Sequence, residues 1–155
     1  MTGTENLIRR YEEAGDKLAQ ALQGIPETAL DRIPAPGKWS IRQIAAHLAD
    51  AEIVVAGRLR WVAAEPGSLL KAFDQEKWAD QLGYERQSPQ ESLEVFRALR
   101  SATAAVLRGL PESAWSRIGT HEERGEVSLQ RLVEDYSGHA ERHVEQILAL
   151  RRIIG

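Results

Sequence analysis

Ile41, Ile44, Leu48, Ala51, Val55, Leu59 and Val62 return every three or four residues, the interval that stacks side chains on one face of an α-helix. Ser40 stands just before the run and Gln43 three residues after it, a pair that closes a first helical turn reciprocally. A helix is therefore predicted over 41–64, stopped by Pro66-Gly67 because proline cannot continue the hydrogen-bond ladder. Such a stripe must be buried against similar partners, and the chain supplies three. Leu7, Tyr11, Leu18 and Leu22 give an inward face to a helix over 4–23, with Gly24 near its C-terminus. Ser88-Pro89-Gln90-Glu91 combines a cap, a first-turn proline and a box glutamate. That signal opens a third helix, which carries Leu93, Phe96, Leu99, Val106 and Leu107 inward to about Arg108. Ser128 caps a fourth helix that reaches about Ile153. The expectation is an all-α bundle with strand content near zero.

The 155 residues fit one domain, 1–155, and 43% hydrophobic residues suffice for a single core. Twenty basic residues against 23 acidic ones, net −3, leave no electrostatic footprint for nucleic acid. Met1 to Arg10 contains no apolar targeting core and no stretch approaches a membrane span, so a cytoplasmic location is the default expectation. The absence of cysteine excludes disulfides, thiolate ligands and a catalytic protein thiol. Any thiol chemistry would have to use an external thiol.

Gly24-Ile-Pro-Glu-Thr-Ala-Leu-Asp-Arg-Ile33 is echoed by Gly109-Leu-Pro-Glu-Ser-Ala-Trp-Ser-Arg-Ile118, each copy joining a long helix to a capped one. Two helix-loop-helix halves imply a pseudo-twofold arrangement. Counted from Ser40 and Ser128, Asp135 is the counterpart of His47, so the halves do not keep matching chemistry. Residues 65–87 are long for a bundle connection. Phe73, Trp78 and Leu82 fit a short helix there, and the segment reads as a crossover packed over the core.

The chemistry lies in three of the four histidines. His139 and His143 are four residues apart within the last helix, so their imidazoles share a face and can reach one ion at about 2.0–2.1 Å. They share that face with Leu132, Tyr136 and Ile147, which points it inward. His47 sits on the edge of the second helix's apolar stripe. Alone it reads as a core histidine satisfied by one hydrogen bond. Three neutral imidazoles converging in a core would otherwise be a costly polar burial. Neighbouring polar residues include Asp50, Glu52, Arg58, Tyr136, His121 and Glu141. Asp50, three residues after His47, is the one candidate for orienting it or acting as a base, with plain surface charge as the competing reading. Glu141 lies at the wrong angle for the same metal. His121, in the loop 119–125, is expected to be exposed and not a ligand, although that loop could fold over the pocket. Ala140 after His139 excludes H-E-x-x-H, and no Glu-x-x-His exists for a ferritin-like di-iron site.

Trp39-Ser-Ile-Arg-Gln-Ile-Ala-Ala-His47-Leu-Ala-Asp-Ala-Glu, followed by His139-x-x-x-His143-x-x-Gln146-Ile, resembles the DinB/YfiT-like family of metal-dependent enzymes over nearly the whole chain. The resemblance implies a four-helix bundle of up-down-down-up topology, with the long crossover between helices 2 and 3. It also implies that His47, His139 and His143 hold one divalent metal, with solvent in the remaining positions. Val144-Glu145 departs from the pair that often precedes Gln-Ile in the family, which leaves the ligands intact but alters the pocket rim or dimer contacts. Homodimerisation is compatible with the family type. Zinc is the first choice, with nickel, iron and manganese as alternatives, because imidazole does not choose among them. Three neutral ligands leave the ion its full charge, suiting it to acidify a water or a thiol. Two functions follow as expectations. One is an enzyme acting on a small molecule, as a hydrolase or a low-molecular-weight thiol transferase. The other is a non-catalytic, metal-stabilised binding module.

Overall fold

The computed structural model describes residues 2–154. Four long helices dominate it, α1 (Gly3–Leu22), α3 (Ile41–Ala64), α5 (Pro89–Arg108) and α6 (Leu129–Ile154), with two short ones, α2 (Glu27–Leu30) and α4 (Gln75–Gln81). The caps read from the sequence are in place. Ser40 and Gln43 form the reciprocal box at α3, Ser88 accepts from the Glu91 amide at α5, and Ser128 accepts from the Arg131 amide at α6. α1 begins slightly earlier than expected because Thr2 accepts from the Glu5 amide. Both copies of the repeat form a short helical turn after an extended proline, α2 after Pro26 and a 3₁₀ turn, Glu112–Ser116, after Pro111.

Helix directions follow from the side chains that meet. Glu5 pairs with Arg108 and Asp16 with Arg97, so α1 and α5 run antiparallel. Arg10 pairs with Glu141 while Arg151 donates to the Ala21 carbonyl, so α1 and α6 run parallel. On α3, His47 meets His139 and Arg58 meets Tyr136, which sets it antiparallel to α6. The topology is up-down-down-up, and α1 and α3 each pack chiefly between α5 and α6. α1 and α3 thus lie across one diagonal and α5 and α6 across the other, while α3 and α5 are parallel neighbours, so the long 65–87 crossover returns the chain along the length of the bundle.

Where no strand was expected there is a small sheet of β1 (Leu69–Leu70), β2 (Ile118–His121) and β3 (Gly125–Ser128), with β1 parallel and β2 antiparallel to its neighbour. Strands of two to four residues are too short for alternation to stand out in a sequence. Gly119 lets this sheet lie on the end of α3. A Cβ there would come within 2.7 Å of a Val62 methyl and 3.1 Å of Leu70. The crossover is packed over the core as expected, through buried Leu70, Ala79 and Tyr84, while Leu82 is exposed. On α5 the inward row runs Phe96, Arg100, Thr103 and Leu107, so Val106, expected inside, faces out. No helix among the described residues is long and apolar enough to cross a membrane.

The core is in two parts. One gathers Tyr11, Leu59, Val62, Trp115 and Leu132, the other Leu18, Ile44, Leu48, Phe96 and Ile147. A polar layer separates them. Glu52 and Arg100, 1% and 2% exposed, form an ion pair there, and the Tyr11 hydroxyl donates to the same carboxylate. Arg100 also donates to the Tyr11 carbonyl at 2.8 Å and the Tyr136 carbonyl at 3.1 Å. Its guanidinium lies 3.9 Å from the Tyr11 ring centroid, within cation–π range. One side chain thereby ties α5 to α1, α3 and α6. Burial raises the Glu52 carboxyl above its ordinary range, opposed by Arg100.

Candidate metal centre

α3 and α6 bring the three expected histidines together beside this polar layer. His47 is 1% exposed, flanked by buried Ala46 and Leu48, and the Trp39 ring centroid lies 4.9 Å from its own. His139 and His143 are half-buried one turn apart on α6, with ring centroids 4.6 Å apart. One ring nitrogen from each residue lies within 4.8 Å of the others.

The spacing fits a shared ion. His47 Nε2 and His139 Nε2 are 3.3 Å apart, and two ligands held at about 2.0–2.1 Å around a tetrahedral centre are separated by about 3.3–3.4 Å. The same distance would serve a single N–H···N hydrogen bond, but the His143 ring stands 4.8 Å from His47 as well, so three rings surround one point. The Nδ1 of His143 lies 2.9 Å from Oε1 of the Gln146 side-chain amide. Donation there leaves the Nε2 lone pair free and fixes the ring's orientation. His47 Nδ1 is buried without a partner, which leaves the ring's other nitrogen as its one route to compensation.

Electrostatics keep the rings neutral. Burial, followed by the neighbouring histidines, pulls His47 from 6.5 to about 3. Burial and then His143 pull His139 to about 4. His143 is lowered too, by burial, against the raising effect of Gln146. Folded-state values below the unfolded value mean that the unfolded chain takes up protons first as pH falls. With metal chelated away, the unfolding free energy is therefore expected to be level above about pH 7 and to decline as pH drops from 6.5 towards 4. Denaturant titrations at several pH values would show this, and His139→Ala should have a shallower decline. A flat profile in the wild type would contradict it.

Asp50 does not join the histidines. Its carboxylate accepts from the Tyr84 hydroxyl at 2.9 Å and lines a separate hollow with Ala46, Ala49 and Leu82, so it does not orient His47. Burial and then this bond raise the Tyr84 hydroxyl above its usual range. Glu141 is partly exposed and paired with Arg10. His121, expected on the surface, is 7% exposed, because alternation in β2 turns Gly119 and His121 inward. Its Nδ1 accepts from the amides of Glu123 and Arg124, a structural role that closes the 121–125 turn, and it stays out of the histidine cluster.

A cavity of about 650 Å³ opens beside the cluster, with His47 and His139 in its wall. Its apolar lining comes from Ala51, Val55 and Phe73, and its cationic lining from Arg10, Arg58, Arg124, Arg131 and Arg142, with Glu134 and Asp135 among them. Arg124 and Arg131 both pair with Asp135. The 119–125 loop thus reaches the cavity through Arg124. An ion held by three histidines at the edge of such a cavity would keep coordination positions facing it.

The sequence pattern that defines the DinB superfamily runs through residues 10–147. The chain belongs to the DinB superfamily. Among its relatives, YfiT of Bacillus subtilis is 27% identical over 149 residues, 96% of this chain and 84% of YfiT. A relative from Oceanobacillus iheyensis is 28% identical over 144 residues, 92% of this chain and 83% of its own. The solved YfiT structure superposes with a TM-score of 0.92 at 25% identity, covering 100% of this chain and 90% of YfiT. YfiT is described as a probable metal-dependent hydrolase with an unusual four-helix bundle topology, and this DinB chain shares that bundle. A more distant match, at 12% identity and a TM-score of 0.75, is mycothiol-dependent maleylpyruvate isomerase, with 94% of this chain and 61% of that one aligned. At that identity the likeness is one of fold.

Proposed function

We propose that this DinB protein holds one divalent metal on His47, His139 and His143 and is a hydrolase of small molecules that enter the adjoining cavity. The carrying observation is the meeting of three neutral imidazoles around one point, with two of them in the wall of a cavity of about 650 Å³. A closed structural site would instead surround its ion on all sides. A bound divalent ion supplies Lewis acidity that polarises a carbonyl and makes a water or thiol more acidic. The protein's own residues do the rest. Gln146 orients His143, and Trp39 packs beside His47. Ala51, Val55 and Phe73 give a substrate apolar walls. We assign zinc first, since it is suited by imidazole ligands and needs no particular ligand field.

A low-molecular-weight thiol is the second class of substrate that we consider. The chain has no cysteine of its own, so a thiol nucleophile would have to arrive from solution. The fold is also shared with an isomerase that depends on mycothiol.

The test is turnover. Metal-reconstituted protein should cleave at least one class in a panel of esters, amides and lactones, or conjugate a thiol to an electrophile, well above background. His139→Ala treated identically should not. Background rates across the whole panel for a protein with bound metal would leave the non-catalytic binding module as the better account.

A further inference from the structure

The bundle buries two arginines and treats them differently. Arg100 is met by the Glu52 carboxylate and two backbone carbonyls. Arg58, 7% exposed, has no carboxylate partner among the described residues. It donates to the Tyr136 hydroxyl at 3.0 Å and to the Lys71 carbonyl, and its Nε is buried with no partner at all. A buried guanidinium that lacks a counter-charge is expensive to keep. Arg58 has five N–H donors to satisfy, and the hydrogen bonds named here use two of them.

Its position says what would supply the missing charge. His47, Ala51, Val55 and Arg58 line the cavity in succession along one face of α3. The eleven residues from His47 to Arg58 complete three turns, which sets their Cα atoms roughly 16 Å apart along the axis. The histidines stand towards one end and Arg58 towards the other. They are nearer together at their tips than at their Cα atoms, because Arg58 reaches Tyr136, one turn before His139 on α6. The floor between them, Ala51 and Val55, is aliphatic. Tyr136 lines the same cavity, and a hydroxyl that accepts from Arg58 has its own proton free for a second acceptor.

We propose that Arg58, with the Tyr136 hydroxyl, is the carboxylate-binding subsite of this cavity, and that the substrate is an elongated aliphatic molecule with its reacting group at the histidine end and a carboxylate at the Arg58 end. This rests on the cavity being the substrate site. One uncompensated positive charge matches a monoanion, which favours carboxylate over a phosphate dianion. The remaining arginines of the lining are less suited to the role. Arg10, Arg124 and Arg131 already have carboxylate partners, and Arg142 is exposed.

Two probes of equal length separate the subsite from the metal. Cobalt-loaded wild type, Arg58→Gln and Arg58→Lys are titrated with mercaptohexanoate and with mercaptohexanol, and thiolate absorption reports binding. In parallel, hexanoate is titrated into metal-free protein while amide NMR shifts are followed. The carboxylate probe should bind wild type at least about tenfold more tightly than the alcohol, as a charge-assisted hydrogen bond requires. That advantage should vanish in Arg58→Gln and be partly retained in Arg58→Lys. Hexanoate should shift the Val55 and residue-58 amides in wild type, more weakly in Arg58→Lys, and not in Arg58→Gln. Equal affinity for the two probes, an advantage that survives Arg58→Gln, or stronger competition by inorganic phosphate than by hexanoate would each overturn the assignment. If cobalt does not bind, the metal reading fails while the hexanoate titration still decides the role of Arg58. If Arg58→Gln does not fold, the two probes compared on wild type and Arg58→Lys decide it.

Discussion

Glu52→Ala is expected to lower the unfolding free energy by about 3–5 kcal/mol, the range for removing one partner of a buried ion pair. The magnitude comes from what remains. Arg100 would keep its two backbone carbonyls and its stacking on Tyr11, but its charge would be buried without an anion. Tyr11 would lose the acceptor of its hydroxyl proton. The effect should extend to the metal site, because Arg100 joins Glu52 on α3, five residues past His47, to the Tyr136 carbonyl on α6, one turn before His139. Denaturant unfolding of Glu52→Ala, Arg100→Met and the double variant would test this. The double variant should lose clearly less than the sum of the two singles, since it leaves neither charge stranded. Additive losses, or a Glu52→Ala cost below about 1 kcal/mol, would show that the pair does not hold the layer together.

The second large effect is stabilisation by metal. An ion that binds only the folded state adds about 4 kcal/mol when its free concentration is about 1,000 times the dissociation constant. Wild-type protein stripped with chelator should therefore melt at a markedly higher temperature once zinc, nickel or manganese is returned. His47→Ala should gain nothing. His47 is the informative choice because it alone brings α3 into the cluster; the other two donors share α6. An equal rise in the variant would place the ion elsewhere on the surface.

Much of this arrangement was legible because its signals are local. The caps at Ser40, Ser88 and Ser128 set three helix starts, and the i,i+4 spacing of His139 and His143 places both rings on one side of α6 whatever surrounds them. The convergence of His47 with that pair is long-range, and it was reached through the family resemblance as well as through the stripe. Three features escaped for different physical reasons. The sheet was missed because its strands are too short to alternate visibly. His121 was read as exposed because a polar residue in a loop usually is, whereas the β2 pleat turns it inward. Arg100 passed unnoticed although it stands four residues after Phe96 and seven before Leu107, in the middle of the buried row. Glu52 occupies the matching place on α3, four residues after Leu48 and seven before Leu59. Two opposite charges at core positions of different helices are a sequence signal for a buried pair, and Arg58, without such an acid, is the position where the same test reports an excess charge. Asp50 illustrates the converse limit. Three residues from His47 in sequence, it is directed away to Tyr84, since a spacing of three fixes only an approximate face.

The central claim is that three histidines hold one metal ion, and elemental analysis tests it most directly. Untagged wild-type protein grown without added metal should contain about one divalent ion per chain, and His139→Ala prepared in parallel should contain essentially none. No metal in either protein, even after reconstitution, would contradict the account, as would an equal content in both.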